Sequence, residues 1–202
     1  PTVTLSDTDD DNLLAASDTV TIIAAFSEGM TATPTISISG TSISNQEMSK
    51  IWAQVGADID GEAAGDESGR GENSLSFSSD GSRLAIGGYL NDGNGTSSGH
   101  VRIYDYNGSA WVQVGADIDG EAANDASGWS VSLSSDGSRV AIGAYTNDGG
   151  GTNSGHVRIY QYNNNSWSQL GADINGEAAL DISGYSVSLS SDGSRVAIGA
   201  MG

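Results

Sequence analysis

The side chains best suited to chemistry in this chain are acidic. Asp117, Asp119, Glu121 and Asp125 crowd one short stretch, which recurs as Asp58, Asp60, Glu62 and Asp66 and again as Asp173, Asn175, Glu177 and Asp181. Oxygen-rich clusters suit calcium, which takes six to eight hard ligands. Calcium is therefore the ion such a cluster points to, with Asp117, Asp119, Glu121 and Asp125 as candidate ligands. The stretch lacks EF-hand spacing, and Ile118 between two acids suits a strand with its acids turned outward. A solvated rim with turn-capping acids is the alternative, and both readings stay open.

Other residue types offer less. The Gly/Asn loops 91–98 and 147–154 could hold a sugar or a metal, or could simply permit tight turns. Trp52, Trp111 and Trp167 occupy equivalent places, which suits packing between repeats better than sugar stacking. Arg83, Arg139 and Arg195 recur, as do Arg102 and Arg158, and structural pairing with the repeated acids is expected of them. His100 and His156 are equivalent to each other and read as strand residues beside a loop rather than as ligands. Serine is abundant, but no Gly-x-Ser-x-Gly elbow occurs and no acid–His–Ser set can be nominated. Every reactive residue recurs with the repeat, whereas catalysis usually breaks such symmetry, so the expectation is a protein that is not an enzyme.

Composition narrows the class. With 7 Lys+Arg against 26 Asp+Glu among 202 residues, the net charge is -19 and the isoelectric point is near 4.1. Such a chain repels phosphate, so no nucleic-acid partner is expected. The absence of cysteine excludes disulfides, thiolate metal sites and cysteine catalysis. No apolar run reaches the roughly 20 residues of a membrane span. An acidic, cysteine-free, Ser/Thr/Gly/Asn-rich composition fits a bacterial surface or secreted protein, and hence an extracellular location. Among its crowded acids, salt or divalent cations are expected to stabilise the fold by screening.

These residues sit on a repeat. The segments from Ile51, Trp111 and Trp167 align, and Asp80, Asp136 and Asp192 of the shared SSDGSR element are each 56 residues apart. The first copy holds three extra residues, assigned to Arg70, Gly71 and Glu72. Trp111–Thr146 and Trp167–Gly202 are identical at 28 of 36 positions, which marks a recent duplication. In the second copy Trp129–Ser134 alternates apolar residues with Ser, the period of a strand. A two-residue Asp-Gly hairpin then leads into Arg139–Tyr145. After the 146–155 loop come a third strand, His156–Tyr162, a turn at Asn163–Ser166, and a fourth strand, Trp167–Ile174. Ala141, Gly143 and Ala144 suit a sheet covered on both faces. The fold class expected is all-β. Four antiparallel strands per unit is the arithmetic of a β-propeller blade, and a β-helix rung is usually shorter.

The motifs Gly128-Trp-Ser-Val and Gly184-Tyr-Ser-Val, with Val140–Ala144, Val196–Ala200 and Gly155–Tyr160, are similar to those of the FG-GAP repeat of integrin-type β-propellers. The resemblance covers 51–202 and implies a propeller of about seven blades. Many members of that family carry an Asp-rich calcium loop between the first two strands. Here it has shrunk to Ser-Asp-Gly-Ser, so that site is not carried over. Blade counting gives one fourth strand from Trp52, two whole blades and two strands of a third. The expectation is either that the protein continues past Gly202 or that chains associate through open edges.

Residues 1–49 differ in composition and read as three strands, Val3–Leu5, Asp18–Phe26 and Pro34–Ser39, with an acidic turn at Asp7–Asp11. PTVTLSDTDD, SDTVTIIAAFSEGM and TPTISISG resemble the bacterial Ig-like modules of giant surface adhesins. The expected organisation is a partial Ig-like segment, 1–49, followed by propeller-like repeats, 50–202. The expected role is a non-catalytic extracellular module for adhesion or display, toward a protein or glycan ligand. Self-association through open blade or Ig-like edges is the second reading, and a carbohydrate-binding accessory domain is the third.

Overall fold

A computed structural model describes residues 54–71 and 73–202, together with the backbone of two N-terminal strands. The chain divides into two compact units, Pro1–Gln54 and Val55–Gly202. In the first, β1 (Thr2–Ser6) pairs antiparallel with β2 (Thr21–Ala25). The strand expected at Pro34–Ser39, the turn at Asp7–Asp11, Trp52 and Glu72 lie outside the described residues.

The second unit is all β, with no helix among the described residues. Its first blade consists of β3 (Leu75–Phe77), β4 (Arg83–Gly88), β5 (His100–Tyr106), β6 (Trp111–Gln113) and β7 (Ile118–Asp119). Its second repeats the plan with β8 (Ser130–Leu133), β9 (Arg139–Ala144), β10 (His156–Asn163), β11 (Ser166–Gln169) and β12 (Ile174–Asn175). A hairpin of β13 (Ser186–Leu189) and β14 (Val196–Gly199) follows. In each blade the strands run antiparallel in chain order, and the fourth comes in two pieces along the third.

That break departs from the continuous fourth strand expected at Trp167–Ile174. Tyr160 faces Gln169 and Val157 faces Ile174, so the outer strand carries two extra residues over this stretch. Gly171, at φ +81°, opens the bulge, as Gly115 does at φ +77° in the first blade. The bulge turns Asp117 and Asp173 away from the regular pleat.

The Asp-Gly turn also differs from expectation. Ser134 N–H donates to the Arg139 carbonyl at 2.9 Å, leaving a four-residue loop rather than a two-residue one. The cause is Asp136, whose Oδ1 accepts Ser138 N–H at 2.9 Å and the hydroxyls of Ser134 at 2.6 Å and Ser138 at 2.8 Å. This side-chain cap replaces a tight backbone turn. The two-residue hairpin lies instead at Asn164 and Asn165, both left-handed at φ 49° and 60°.

Hydrogen bonds of this kind hold the carboxyls of Asp80 and Asp192 down to about 2, and Asp136 below its usual value. Their folded-state pKa lies below the unfolded one, so the contribution is present above about pH 4 and is lost as pH falls toward 2. Replacing all three by Asn keeps the acceptor and removes the titration. The melting temperature of that variant should fall less steeply between pH 4 and 2 than the wild type's, and an unchanged slope would refute the assignment.

Packing explains the Val-Ala-Ile-Gly-Ala signature. Val140 and Ile142 of β9 pack with Ala85, Val101 and Ile103 of the first blade. Ala141, on the opposite face, packs with Val187 of the third. Large residues of one blade thus meet an alanine on its neighbour's second strand, and both faces of that strand are buried. Gly143 and Gly87 are close-approach points, because a Cβ at Gly143 would run into the Gly184 carbonyl and one at Gly87 into that of Gly128. The serines alternating along the first strands join blade to blade. Ser76 Oγ accepts Leu133 N–H at 2.9 Å, and Ser132 Oγ accepts Leu189 N–H at 3.0 Å. Ser68, just upstream of the extra residues, bridges Gly88. Beyond those residues Leu75 and Phe77 pair with Ile86 and Leu84 as Val131 and Leu133 pair with Ile142 and Val140, so the register is kept.

Candidate functional site

The third strands begin with buried histidines. His100 and His156 start β5 and β10, and each is 1% exposed. Two acids converge on each ring from different parts of the chain. Glu62 Oε2 lies 3.5 Å and Asp117 Oδ2 3.7 Å from His100 Nδ1, and Glu121 Oε2 lies 3.8 Å from His156 Nδ1. Within each set, Glu62–His100–Asp117 and Glu121–His156–Asp173, one ligand atom per residue falls within 4.8 Å of the others. Glu121 comes from the turn that follows the first blade's outer strand. Glu62 comes from the equivalent turn, where residues 54–61 form no strand although a fourth strand from Trp52 is expected. Each aspartate comes from the blade's own bulge. Each set therefore forms only when successive units dock.

The surroundings are built to match. Gln113 Nε2 donates to Asp117 Oδ1 at 2.5 Å, and Gln169 Nε2 donates to Asp173 Oδ1 at 2.7 Å. Each holds one carboxylate oxygen and leaves the other for the histidine. Arg102 Nη2 donates to the Asp60 carbonyl and Arg158 Nη2 to the Asp119 carbonyl, both at 2.7 Å. Both arginines thus grip the backbone of the repeated acids. Arg158 Nη1 also stands 3.6 Å from Glu121 Oε1. Burial pushes both histidines below their ordinary pKa, against the pull of neighbouring acids such as Asp117 and Asp173. Neither Nδ1 has a hydrogen-bond partner among the described residues.

The four acids nominated from the sequence do not form one set. Asp117 joins the first cluster and Glu121 the second. Asp119 is exposed and contributes its carbonyl to Arg158. Asp125 is buried, and its Oδ2 accepts Ala122 N–H and Asn147 Nδ2–H, both at 3.0 Å. Of the equivalent acids, Asp66 and Asp181 cap turns in the same way. The histidines are strand residues, as the sequence suggests, but they also face the acids. The 59- and 56-residue offsets that relate Glu62, His100 and Asp117 to Glu121, His156 and Asp173 carried the missed signal.

Other candidates are absorbed by structure. In the 91–98 and 147–154 loops, Asn91 Oδ1 accepts Gly93 N–H and Asn147 Oδ1 accepts Gly149 N–H, while Asp92 and Asp148 accept Ser97 and Asn153 N–H. Trp111 packs on Tyr106 and donates to the Val55 carbonyl. Trp167 packs on Tyr162 and donates across the blade boundary to the Val114 carbonyl. Arg83 pairs with Asp105 at 2.6 Å and stacks over Tyr162. Arg139, opposite Gln161, instead donates to the Gly193 carbonyl.

Residues 117–160 match the FG-GAP repeat family. The matched stretch opens at Asp117 and closes on Tyr160, so it takes in β7 of the first blade and then β8, β9 and most of β10 of the second. No curated protein matches the chain. The FG-GAP-type unit thus holds Glu121 and His156, while Asp173 of their cluster lies downstream of it. The described residues include no helix long and apolar enough to cross a membrane.

Proposed function

We propose that residues 50–202 form a non-catalytic, extracellular repeat module of a bacterial surface or secreted protein, serving adhesion or display behind an Ig-like segment at 1–49. The observation that supports this most is the FG-GAP match at 117–160, since such repeats are often extracellular and generally not enzymatic. The duplication of the Glu–His–Asp set agrees with it, because a catalytic centre seldom recurs once per repeat. The test is binding of the purified chain to immobilised matrix proteins and to a glycan array. Saturable retention on one ligand class supports the module reading. Retention on glycans alone favours a carbohydrate-binding accessory role. Turnover of an ester, glycoside or phosphate probe that a point substitution abolishes would overturn the non-catalytic reading.

Self-association is a second reading with its own support. Leu75 and Phe77 are 55% and 56% exposed, whereas their counterparts Val131 and Leu133 are buried against the preceding blade. Light scattering tests this, because assembly predicts higher species that Leu75→Ser with Phe77→Ser reduces to monomer. A wild-type monomer across the concentration range would exclude it.

A further inference from the structure

We propose that Glu62–His100–Asp117 and Glu121–His156–Asp173 are two equivalent binding sites for a divalent transition metal of the zinc class. Two observations point there independently. The ligand atoms of each set already lie within 4.8 Å of one another. At the centre of each is an imidazole whose side chain is only 1% exposed and whose Nδ1 lacks any hydrogen-bond partner among the described residues and faces the carboxylates. Leaving such a group unmade costs free energy, and a cation between nitrogen and oxygens removes that cost.

The donor set chooses the ion. Calcium and magnesium prefer all-oxygen shells, whereas one imidazole with two carboxylates suits zinc and its neighbours. Metal–ligand bonds of about 2.0–2.2 Å in a tetrahedron put donor atoms roughly 3.3 Å apart. The 3.5 and 3.7 Å separations about His100 Nδ1 are close to that, and the more exposed Glu62 side chain has room to adjust. Three protein ligands leave a fourth position toward solvent, open to water or to a donor on a bound molecule. Gln113 and Gln169, each fixing the far oxygen of a ligand aspartate, act as positioning residues. The surrounding negative charge raises the local cation concentration. This ion differs from the calcium that the run of acids alone suggests, and of the four acids nominated for calcium only Asp117 and Glu121 take part, one in each set.

The experiment is zinc titration by calorimetry on the chelator-stripped 202-residue chain, at fixed ionic strength, with calcium as the comparison. Two zinc ions should bind, and millimolar calcium should not displace them. Glu121→Gln alters an exposed side chain and should weaken one site by at least about 10-fold, and Glu62→Gln with Glu121→Gln should weaken both. Gln169→Ala should weaken one site by about 10- to 100-fold. Cobalt substitution supplies a second readout, with visible absorption bands that His100→Ala with His156→Ala abolishes. Zinc uptake that the paired glutamate variant leaves unchanged, failure to bind zinc at all, or equal competition by calcium would each overturn the assignment.

Discussion

Replacing Gly143 with alanine is expected to lower the melting temperature of the repeat unit by about 6 °C or more. The added methyl would meet the Gly184 carbonyl and the Ser130 hydroxyl, which are hydrogen-bonded to each other at 2.8 Å and so have little room to yield. Overpacking usually costs about 1–3 kcal/mol. Here the seam between two blades must open, so at least about 3 kcal/mol is expected, and at this size each kcal/mol shifts the midpoint by about 2–4 °C. Val112→Ala, at a half-exposed site on an outer strand, is the control and should change stability by less than about 0.5 kcal/mol. Equal melting of the two variants would mean that the Gly143–Gly184 approach is not a tight constraint.

Removing Trp129 should cost about as much for the opposite reason. Its ring contacts Tyr89 of the first blade, Tyr145 of its own and Tyr185 of the third, at centroid distances of 4.9, 4.8 and 5.6 Å. Aromatic pairs contribute roughly 0.5–1.5 kcal/mol each beyond burial, and truncating a packed Trp costs about 3–5 kcal/mol. Trp129 is half-buried, so about 3 kcal/mol is expected for Trp129→Ala in a denaturant titration. Trp129→Phe should lose less than half of that, because a ring remains and the indole N–H makes no hydrogen bond among the described residues. A loss under about 1 kcal/mol for the alanine variant would show that the three tyrosines close up without it.

How legible these features were depended on whether the cause lay within a few residues. Alternation of Val131 and Leu133 with serine announced a strand, and the structure adds that Ser132 pairs with the next blade, which makes the polar half of that pattern as structural as the apolar half. The small residues of β9 announced a sheet covered on both faces. The bulge after Gln113 was hidden, because Gly115 could equally have sat in an extended strand, and only its neighbours' pairing forces the left-handed conformation. The four-residue turn was hidden for a similar reason, since Asp-Gly suits a tight hairpin until the hydroxyls of Ser134 and Ser138 offer Asp136 something better. The Glu–His–Asp sets drew on residues up to 55 positions apart and on two units at once, so proximity along the chain could not reveal them.

The seam between blades is assembled from parts that every copy carries: a glycine facing a glycine carbonyl, a serine accepting from the next first strand, a glutamate meeting the next histidine. Its two halves are therefore donor and recipient of the same joint. A genetic event that copies or deletes one 56-residue period leaves every remaining joint matched. Lineages can thus change the number of units by recombination alone, with no compensating substitution, and the near-identity of the last two copies is the trace such an exchange leaves.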